Sequence, residues 1–158
     1  MAIVVECYAD EKLVLTLLPQ KRGGIRHSGG KGNIFNYLKK EQTMQGIGLI
    51  DEDPRSTQPK EFIHNYDLYD SHGSVKLYRH KRKPECSVVM LSPRLEEWII
   101  SRARAVKIDP GKYNLPDDGK KLHSIPRYDK GINFEGFLSA LQSSSDSEVE
   151  KIREWLGK

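Results

Sequence analysis

The chain lacks the cysteine content on which small disulfide-bonded and zinc-binding domains depend. Its 158 residues include two cysteines, Cys7 and Cys86, whose spacing fits neither a disulfide framework nor a metal site. The longest apolar runs, at residues 2–5 and 88–91, are far shorter than the ~20 residues of a membrane-spanning helix. The amino terminus has neither a basic start nor a long apolar segment, so we expect no signal peptide. These absences predict a protein of the reducing cytoplasm that does not enter a membrane.

No sign of charge dominates the sequence. Lysine and arginine number 26 and aspartate and glutamate 22, which gives a net charge of +4. This small excess permits a phosphate-bearing partner but does not demand one. The five histidines are scattered without the helical spacing of metal ligands, which argues against a zinc hydrolase. The glycine-rich loop at 28–33 lacks the Gly-x-x-x-x-Gly-Lys-Ser/Thr pattern, so we predict no ATP site.

The apolar pattern that is present favours a single α/β domain. About 37% of the residues are hydrophobic and 30% are charged, which suffices for one core. Short apolar runs at 3–5, 25–27 and 47–50 alternate with helical patterns at 10–18 and 34–40. The order strand, helix, strand, helix, strand predicts right-handed crossovers and a mainly parallel sheet flanked by helices.

The second half of the chain is less regular. We predict strands at 75–78 and 87–91 and a helix at 93–105 with Pro93 in its first turn. A long loop with at most short helical turns follows at 106–130, then a helix at 133–141 and a last helix begun by a Ser145–Glu148 capping box. This pattern divides the chain into an α/β domain at 1–105 and a C-terminal extension at 106–158, packed on the same domain. Its role stays open between an oligomer interface, a lid and simple packing.

Acidic residues stand where the first and third predicted strands end. Glu6 follows the first strand, and Asp51 and Asp53 end the third. Ligands of open α/β sheets bind outside the carboxyl ends of the strands, and alternate side chains of an extended Asp-x-Asp point to one side. Paired carboxylates repel unless they are exposed or held by a cation, and their hard oxygens suit Mg²⁺ or Mn²⁺. The simpler alternative is that these acids are polar loop residues, with Asp53 in an ordinary turn.

These acidic motifs resemble those of the Toprim domain. The segment at 5–13, with Glu6 and Asp10 at the first strand–helix junction, is similar to the opening motif of the family. The apolar strand that ends in Asp51 and Asp53 is similar to its second motif. Toprim domains occur in topoisomerases, bacterial primases, recombination-repair proteins and the overcoming-lysogenisation-defect (OLD) nucleases.

Two further segments resemble the smaller, OLD-like members of the family. They are the glycine-rich stretch at 29–33 and the stretch Ser-Pro-Arg-Leu-Glu-Glu-Trp-Ile at 92–99. Cys7 stands where the family usually has glycine, and Pro54 follows where the second motif often continues toward a glycine. The resemblance covers residues 1–105 and implies a Rossmann-like Toprim fold with a mainly parallel central sheet.

The resemblance also implies roles for individual acids. Glu6 would be the general acid/base or a metal ligand, and Asp51 and Asp53 would hold the divalent cation. Asp10 would be an auxiliary acid or, as we prefer, the N-terminal charge of its helix. Glu96, at the start of the later helix, is a candidate further ligand.

Basic residues are candidates for contacts with phosphate. Lys31 lies in the glycine-rich loop, where its charge and the loop amides could meet a phosphate, and Lys120 lies in the later loop. A basic stripe near the fourth strand comprises Lys76, Arg79, Lys81, Arg82 and Lys83. The alternatives are a solvated hairpin turn for the stripe and a solvated loop lysine for Lys120.

The resemblance implies a Mg²⁺- or Mn²⁺-dependent protein that cleaves phosphodiesters of DNA or RNA, with nucleotidyl transfer as the less favoured alternative. A separate ATPase is a candidate partner, because OLD-like nucleases combine the two activities and this chain has no ATPase motif. The first alternative is a non-catalytic Toprim-like module that binds nucleic acid or protein. The second is a phosphoacceptor receiver domain, whose acidic pair normally follows the first strand and whose lone Asp follows the third, the reverse of the order found here.

Overall fold

The chain folds around one six-stranded sheet. The computed structural model describes all 158 residues and contains β1 (Ala2–Val5), β2 (Ile25–His27), β3 (Gly46–Asp51), β4 (Tyr66–His72), β5 (Val75–His80) and β6 (Cys86–Leu91). The strand order is β2-β1-β3-β6-β5-β4. Strands β1, β2, β3 and β6 are parallel, whereas β5 is antiparallel to β6 and β4 is antiparallel to β5. The predicted fold class, an α/β protein with a mainly parallel sheet, is confirmed.

Seven α-helices accompany the sheet. They are α1 (Tyr8–Leu17), α2 (Lys31–Lys39), α3 (Lys60–Asn65), α4 (Leu95–Ala105), α5 (Gly119–Ser124), α6 (Ile132–Ser143) and α7 (Ser147–Gly157). Two 3₁₀ helices span Pro19–Gly24 and Pro110–Tyr113. No helix is both long enough and apolar enough to cross a membrane.

The central strands β1, β3 and β6 are buried on both faces of the sheet, as their near-continuous apolar sequences require. Successive side chains of a strand point to opposite faces. Ile3 and Val5 of β1 therefore belong to a core cluster of 27 residues, which includes side chains from α1, α4, α6 and α7. Val4 belongs to a second cluster of eight residues on the other face, together with Ile34 and Phe35 of α2.

Two elements were not predicted from the sequence. Strand β4 is one of the two edge strands of the sheet, and among its seven residues only Tyr66 is buried. An edge strand with one buried side chain has no apolar alternation, so its sequence resembles a polar loop. The short helix α3 precedes it directly and has no fully buried residue, which removes the helical signal as well.

The starts of two helices also differ from the predictions. Helix α4 begins at Leu95 with Arg94 as its N-cap, so Pro93 precedes the helix instead of lying in its first turn. The predicted Ser145–Glu148 capping box is wrong. The cap of α7 is Asp146, whose Oδ1 accepts hydrogen bonds from the N–H groups of Glu148 and Val149, each at 3.1 Å. A carboxylate at the N-cap satisfies both free amides directly.

The C-terminal extension shares the core of the α/β domain. Helices α6 and α7 bury Phe134, Phe137 and Trp155 in the larger cluster. Glu148 of α7 accepts hydrogen bonds from Ser74, in the turn between β4 and β5, and from the indole of Trp98 in α4. These contacts fix α7 against the sheet.

Candidate active site

Two neighbouring parallel strands bring Glu6 and Asp51 together. In the β1–β3 register Val5 lies opposite Leu49, so the residues that follow on both strands lie at the same end of the sheet, where the parallel strands have their carboxyl ends. The backbone N–H of Asp51 lies 3.4 Å from Oε1 of Glu6. The sequence pattern therefore placed these two acids at a common edge, and the fold puts one against the backbone of the other.

Asp51 also contacts the start of α4. Its Oδ1 accepts a hydrogen bond of 2.9 Å from the backbone N–H of Leu95, the first residue of that helix. A helix N-terminus has unpaired N–H groups and a partial positive charge, which favour a carboxylate there. The hydrogen bond also brings the next residue of α4, Glu96, to the same edge of the sheet.

Glu96 is buried, with 8% of its surface exposed, and it is held by the C-terminal extension. Its Oε1 accepts a hydrogen bond of 3.0 Å from the hydroxyl of Tyr128 and lies 3.0 Å from Nδ1 of His123. His123 belongs to α5 and Tyr128 to the loop that follows it. Neither was a candidate at the sequence level, because both lie in a segment without periodic pattern.

Asp10 lies beneath this group of acids. It is 3% exposed, and its Oδ2 accepts hydrogen bonds from the backbone N–H and the Sγ of Cys7 at 3.2 and 3.3 Å. Cys7 is the N-cap of α1 and is exposed. Asp10 thus has the capping contact of a helix N-terminus and at the same time adds a carboxyl to the group.

The carboxyls of Glu6, Asp10, Asp51 and Glu96, hereafter the acid cluster, share one electrostatic environment. Burial raises the pKa of Asp10 to about 7, and the charge of Glu6 adds to the rise. Burial also raises the pKa of Asp51 well above its ordinary value, and the charges of Asp10, Glu6 and Glu96 add to it. Charge on neighbouring carboxylates therefore disfavours the ionised forms of Asp10 and Asp51.

Glu6 is the member of the cluster whose pKa is influenced by a nearby lysine. Burial raises its pKa, while the N–H of Asp51 and the charge of Lys31 act in the opposite direction. Lys31 is the first residue of α2, and its Nζ donates to the carbonyl of Glu52 at 3.0 Å and to Oε1 of Gln58 at 3.2 Å. Its ammonium is thus fixed beside the segment after β3 and forms no direct ion pair with the cluster.

No lysine or arginine forms an ion pair with Glu6, Asp10 or Asp51. In their present positions, no three acidic, histidine or cysteine side chains are grouped closely enough to hold a metal ion. When its carboxyls are ionised, the cluster therefore carries negative charge that no lysine or arginine pairs with, and it has no preformed coordination shell.

Asp53 stands next to the cluster, at the border of a basic pocket. Its backbone has a φ of 47°, in the left-handed region, and its N–H donates to the carbonyl of Pro93 at 2.8 Å. Its charge contributes to the raised pKa of Glu6. The pocket, of about 250 Å³, is lined by Asp53, Pro54, Arg55, Pro93, Arg94, Glu97 and Lys120. Two of the acids predicted from the sequence, Asp51 and Asp53, therefore have different surroundings.

The basic stripe lies mostly away from the acid cluster. Strand β5 runs antiparallel to β6. Lys81, Arg82 and Lys83 follow its carboxyl end, so they lie at the end of the sheet opposite to the acids. The Nζ of Lys83 donates to the carbonyls of Leu38 and Lys40, and the guanidinium of Arg79 lies 3.5 Å from the ring centre of Tyr69. Lys76 pairs with Met90 near the acidic edge but on a different strand.

Comparisons with known proteins give little further information. No family model and no solved structure matches the chain. Among curated proteins, the chain is 26% identical over 151 residues to the chaperone protein HtpG of Shewanella pealeana. The match covers 87% of this chain but only 22% of that protein, so the chain spans about a fifth of the length of the curated relative that it matches. A partial likeness at this identity shows no family for the chain.

Proposed function

We propose that this protein is a Toprim-like phosphodiesterase that depends on Mg²⁺ or Mn²⁺ and cleaves nucleic acid. The observation that supports the proposal is the convergence of carboxyls from β1, α1, β3 and α4 at one edge of the sheet, with no lysine or arginine paired to Glu6, Asp10 or Asp51. Burying several carboxyls together is costly unless they are protonated or matched by a positive charge. A hard divalent cation is the positive charge that an all-oxygen donor set suits best.

The residues proposed to hold the cation are Glu6, Asp51 and Asp53, with Glu96 as a further ligand. Their donor chemistry fits Mg²⁺, which binds through few protein carboxylates and keeps several waters. When bound, the cation would neutralise charge on a phosphate oxygen and assist the attack of water. Because the carboxyls are not yet grouped at coordinating distance, binding requires side-chain movement at this edge of the sheet.

The other roles, proton transfer and phosphate binding, are proposed for side chains of the protein itself. Glu6, whose pKa is raised by burial, can accept a proton from the attacking water or return one to the leaving oxygen. Arg55 and Lys120, in the pocket beside Asp53, supply positive charge for the neighbouring phosphates of the substrate. The basic stripe near β5 is not part of the proposed substrate path, since its last three residues lie at the end of the sheet opposite to the acid cluster.

The competing candidate is a non-catalytic Toprim-like module that binds nucleic acid or protein. The hydrogen bonds from Leu95 to Asp51, from Tyr128 to Glu96 and from Cys7 to Asp10 favour it, because they give these acids structural uses. We propose the cytoplasm as the setting, with both cysteines reduced, and a separate ATPase as a partner on the strength of the Toprim resemblance alone.

A cleavage assay separates the two candidates. Wild-type protein is incubated with labelled single-stranded DNA, duplex DNA and RNA in Mg²⁺, in Mn²⁺ and in EDTA. Cleavage should require the cation, should be lost in Asp51→Asn, and should fall by about 10²- to 10⁴-fold in Glu6→Gln, the usual effect of removing a general acid/base. Asp70→Asn, at an exposed carboxyl on β4, is the matched control. Binding without cleavage under every condition would support the non-catalytic module, and cleavage that persists in EDTA and in Asp51→Asn would contradict both.

A further inference from the structure

We propose that the side chains of Tyr8, His27 and Arg127 form a platform on which an unpaired nucleobase of the substrate stacks. This set is called the Tyr8 stack below. The inference rests on the proposed function, since it identifies single-stranded nucleic acid, or a frayed end, as the substrate class that the acid cluster receives.

The Tyr8 stack consists of three planar groups in contact. The rings of Tyr8 and His27 are stacked, with centres 4.3 Å apart and planes at 23°. The guanidinium carbon of Arg127 lies 4.2 Å from the centre of the Tyr8 ring. Stacked aromatic rings and an arginine over an aromatic face are the arrangements that proteins use to bind the flat faces of bases.

Each member of the stack lies one or two residues, in sequence or in strand register, from a residue that belongs to the acid cluster or contacts it. Tyr8 begins α1 two residues after Glu6. His27 ends β2 and pairs in register with Val5, the residue before Glu6. Arg127 precedes Tyr128, whose hydroxyl donates to Glu96. A base on the stack would therefore place its own sugar–phosphate backbone beside the proposed cleavage site.

All three members of the stack are accessible to solvent. Tyr8 has 48% of its surface exposed, and His27 and Arg127 are exposed as well. Tyr8 is absent from both core clusters, so its ring does not fill a cavity. A single exposed aromatic side chain is ordinary on a protein surface; what points to a base is that three planar groups are stacked beside the proposed cleavage site.

Arg127 is held rigidly in position. Its Nε and one terminal nitrogen donate to the two carboxylate oxygens of Asp129 at 2.9 and 3.0 Å, and Asp129 is 4% exposed. Its backbone has a φ of 49°, a left-handed conformation that non-glycine residues adopt at a cost. A planar guanidinium fixed in this way loses little freedom when a base is added.

A polar pocket continues from the stack. It has a volume of about 280 Å³, and His27, Arg26, Tyr37 and Lys40 are among the residues that line it. Arg26 and Lys40 both lie against the ring of Tyr37, at 5.1 and 5.8 Å from its centre. These cations suit the phosphates of a strand that leaves the stack, and bases already paired within a duplex could not reach the platform.

The test measures binding without turnover. A single-stranded oligodeoxynucleotide containing 2-aminopurine is titrated with protein in Ca²⁺ instead of Mg²⁺, and an oligomer of the same length built from abasic units is titrated in parallel. Tyr8→Ala removes the ring that joins His27 to Arg127, so it should weaken binding of the base-containing strand by between about fivefold and about a hundredfold, the range for losing one base-stacking interaction. It should also abolish the fluorescence quenching. Tyr8→Phe should bind as the wild type does.

The matched control is Tyr69→Ala. Tyr69 is 58% exposed and has Arg79 over its ring at 3.5 Å. It lies on β4, the edge strand on the opposite side of the sheet from β2. This control should leave binding unchanged. Binding of the abasic oligomer should not differ between the wild type and Tyr8→Ala.

The outcomes separate this inference from the proposed function. If Mg²⁺-dependent cleavage is found but Tyr8→Ala binds the base-containing strand as tightly as the wild type, the platform is overturned and the nuclease stands. If Tyr8→Ala loses base-dependent binding but no nucleic acid is ever cleaved, the platform stands and the nuclease is overturned. An equal loss for the abasic oligomer, or the same loss in Tyr69→Ala, would overturn the platform.

Discussion

The backbone N–H of Leu95 donates to Oδ1 of Asp51 at 2.9 Å, which joins the carboxyl end of β3 to the first turn of α4. This one hydrogen bond explains why an acid late in the chain meets acids near its start. Glu96 follows Leu95 directly, so it arrives beside Glu6 and Asp51 as soon as the helix is docked. The acid cluster is thus a consequence of how α4 packs on the sheet.

The pH dependence of stability should reflect the buried acid Asp10. Its pKa is about 7 in the folded protein, above the ordinary value of 3.8, so the folded state holds the proton more tightly than the unfolded state. The stability contribution of the protonated form is fully present below about pH 4 and is lost as the pH rises through about 7. The free energy of unfolding in EDTA should therefore fall between pH 5 and pH 8, as measured by urea denaturation.

Asp10→Asn should reduce the slope of that pH dependence and leave the part due to Asp51 and Glu6, because the amide cannot ionise but its oxygen can still accept the hydrogen bonds from Cys7. At pH 8 the variant should be at least as stable as the wild type. The same substitution at the exposed Asp70 should leave the slope unchanged. A slope in Asp10→Asn as steep as that of the wild type would contradict the assignment.

Divalent cations should stabilise the folded protein at pH 8, where the cluster carries the most negative charge. A ligand that binds only the folded state at a hundred times its Kd adds about 2.7 kcal/mol, which for a protein of this size raises the Tm by roughly 5–10 °C. Thermal unfolding with and without Mn²⁺ measures the effect. Asp51→Asn and Asp53→Asn should abolish the rise in Tm, whereas Asp70→Asn should keep it. An equal rise in all four proteins would mean that the cation binds elsewhere.

Gly119 allows α5 to lie directly against α4. A Cβ at this position would come within 2.5 Å of the Cα of Glu97 and 2.7 Å of its backbone nitrogen. Because this backbone belongs to a helix, α5 would have to move and would carry Lys120 and His123 with it. Gly119→Ala should cost about 1–3 kcal/mol, the usual effect of overpacking, and should reduce cleavage.

The control for Gly119→Ala is Gly23→Ala, since a Cβ at Gly23 would meet no atom within 4 Å. Urea denaturation and the cleavage assay measure both variants. If Gly119→Ala retained full stability and activity, the close packing of α5 on α4 would not matter for the site.

The contacts of Glu148 should make α7 essential for stability. Its carboxylate pairs with Arg102 at 2.8 Å and accepts hydrogen bonds from Ser74 and Trp98. Glu148→Ala would leave Arg102 with Asp146 as its remaining ion-pair partner and the donors of Ser74 and Trp98 without their acceptor, which should cost about 1–3 kcal/mol. Glu150 lies two residues further along α7, is exposed, and pairs with Arg153 at 3.7 Å. Glu150→Ala should therefore change the free energy of unfolding by less than about 0.5 kcal/mol. Similar losses in the two variants would contradict the role given to Glu148.

Several features of the fold were accessible to sequence analysis because they depend on local pattern. The apolar runs of β1, β3 and β6 are buried on both faces, which excludes polar residues from them and makes them visible as parallel strands. Strand β4 and helix α3 escaped prediction, since an edge strand and a short surface helix bury too few side chains to leave a pattern.

The sequence by itself determined the α/β class and the position of Glu6, Asp51 and Asp53 after buried strands, because parallel strands bring their carboxyl ends to one edge. Only the tertiary structure decided what surrounds these acids. The hydrogen bond from Tyr128 to Glu96 joins residues 32 positions apart, and His27 meets Tyr8 through strand pairing. Contacts of this kind depend on how whole helices and loops pack, and packing between distant segments leaves no periodic trace in the order of the amino acids.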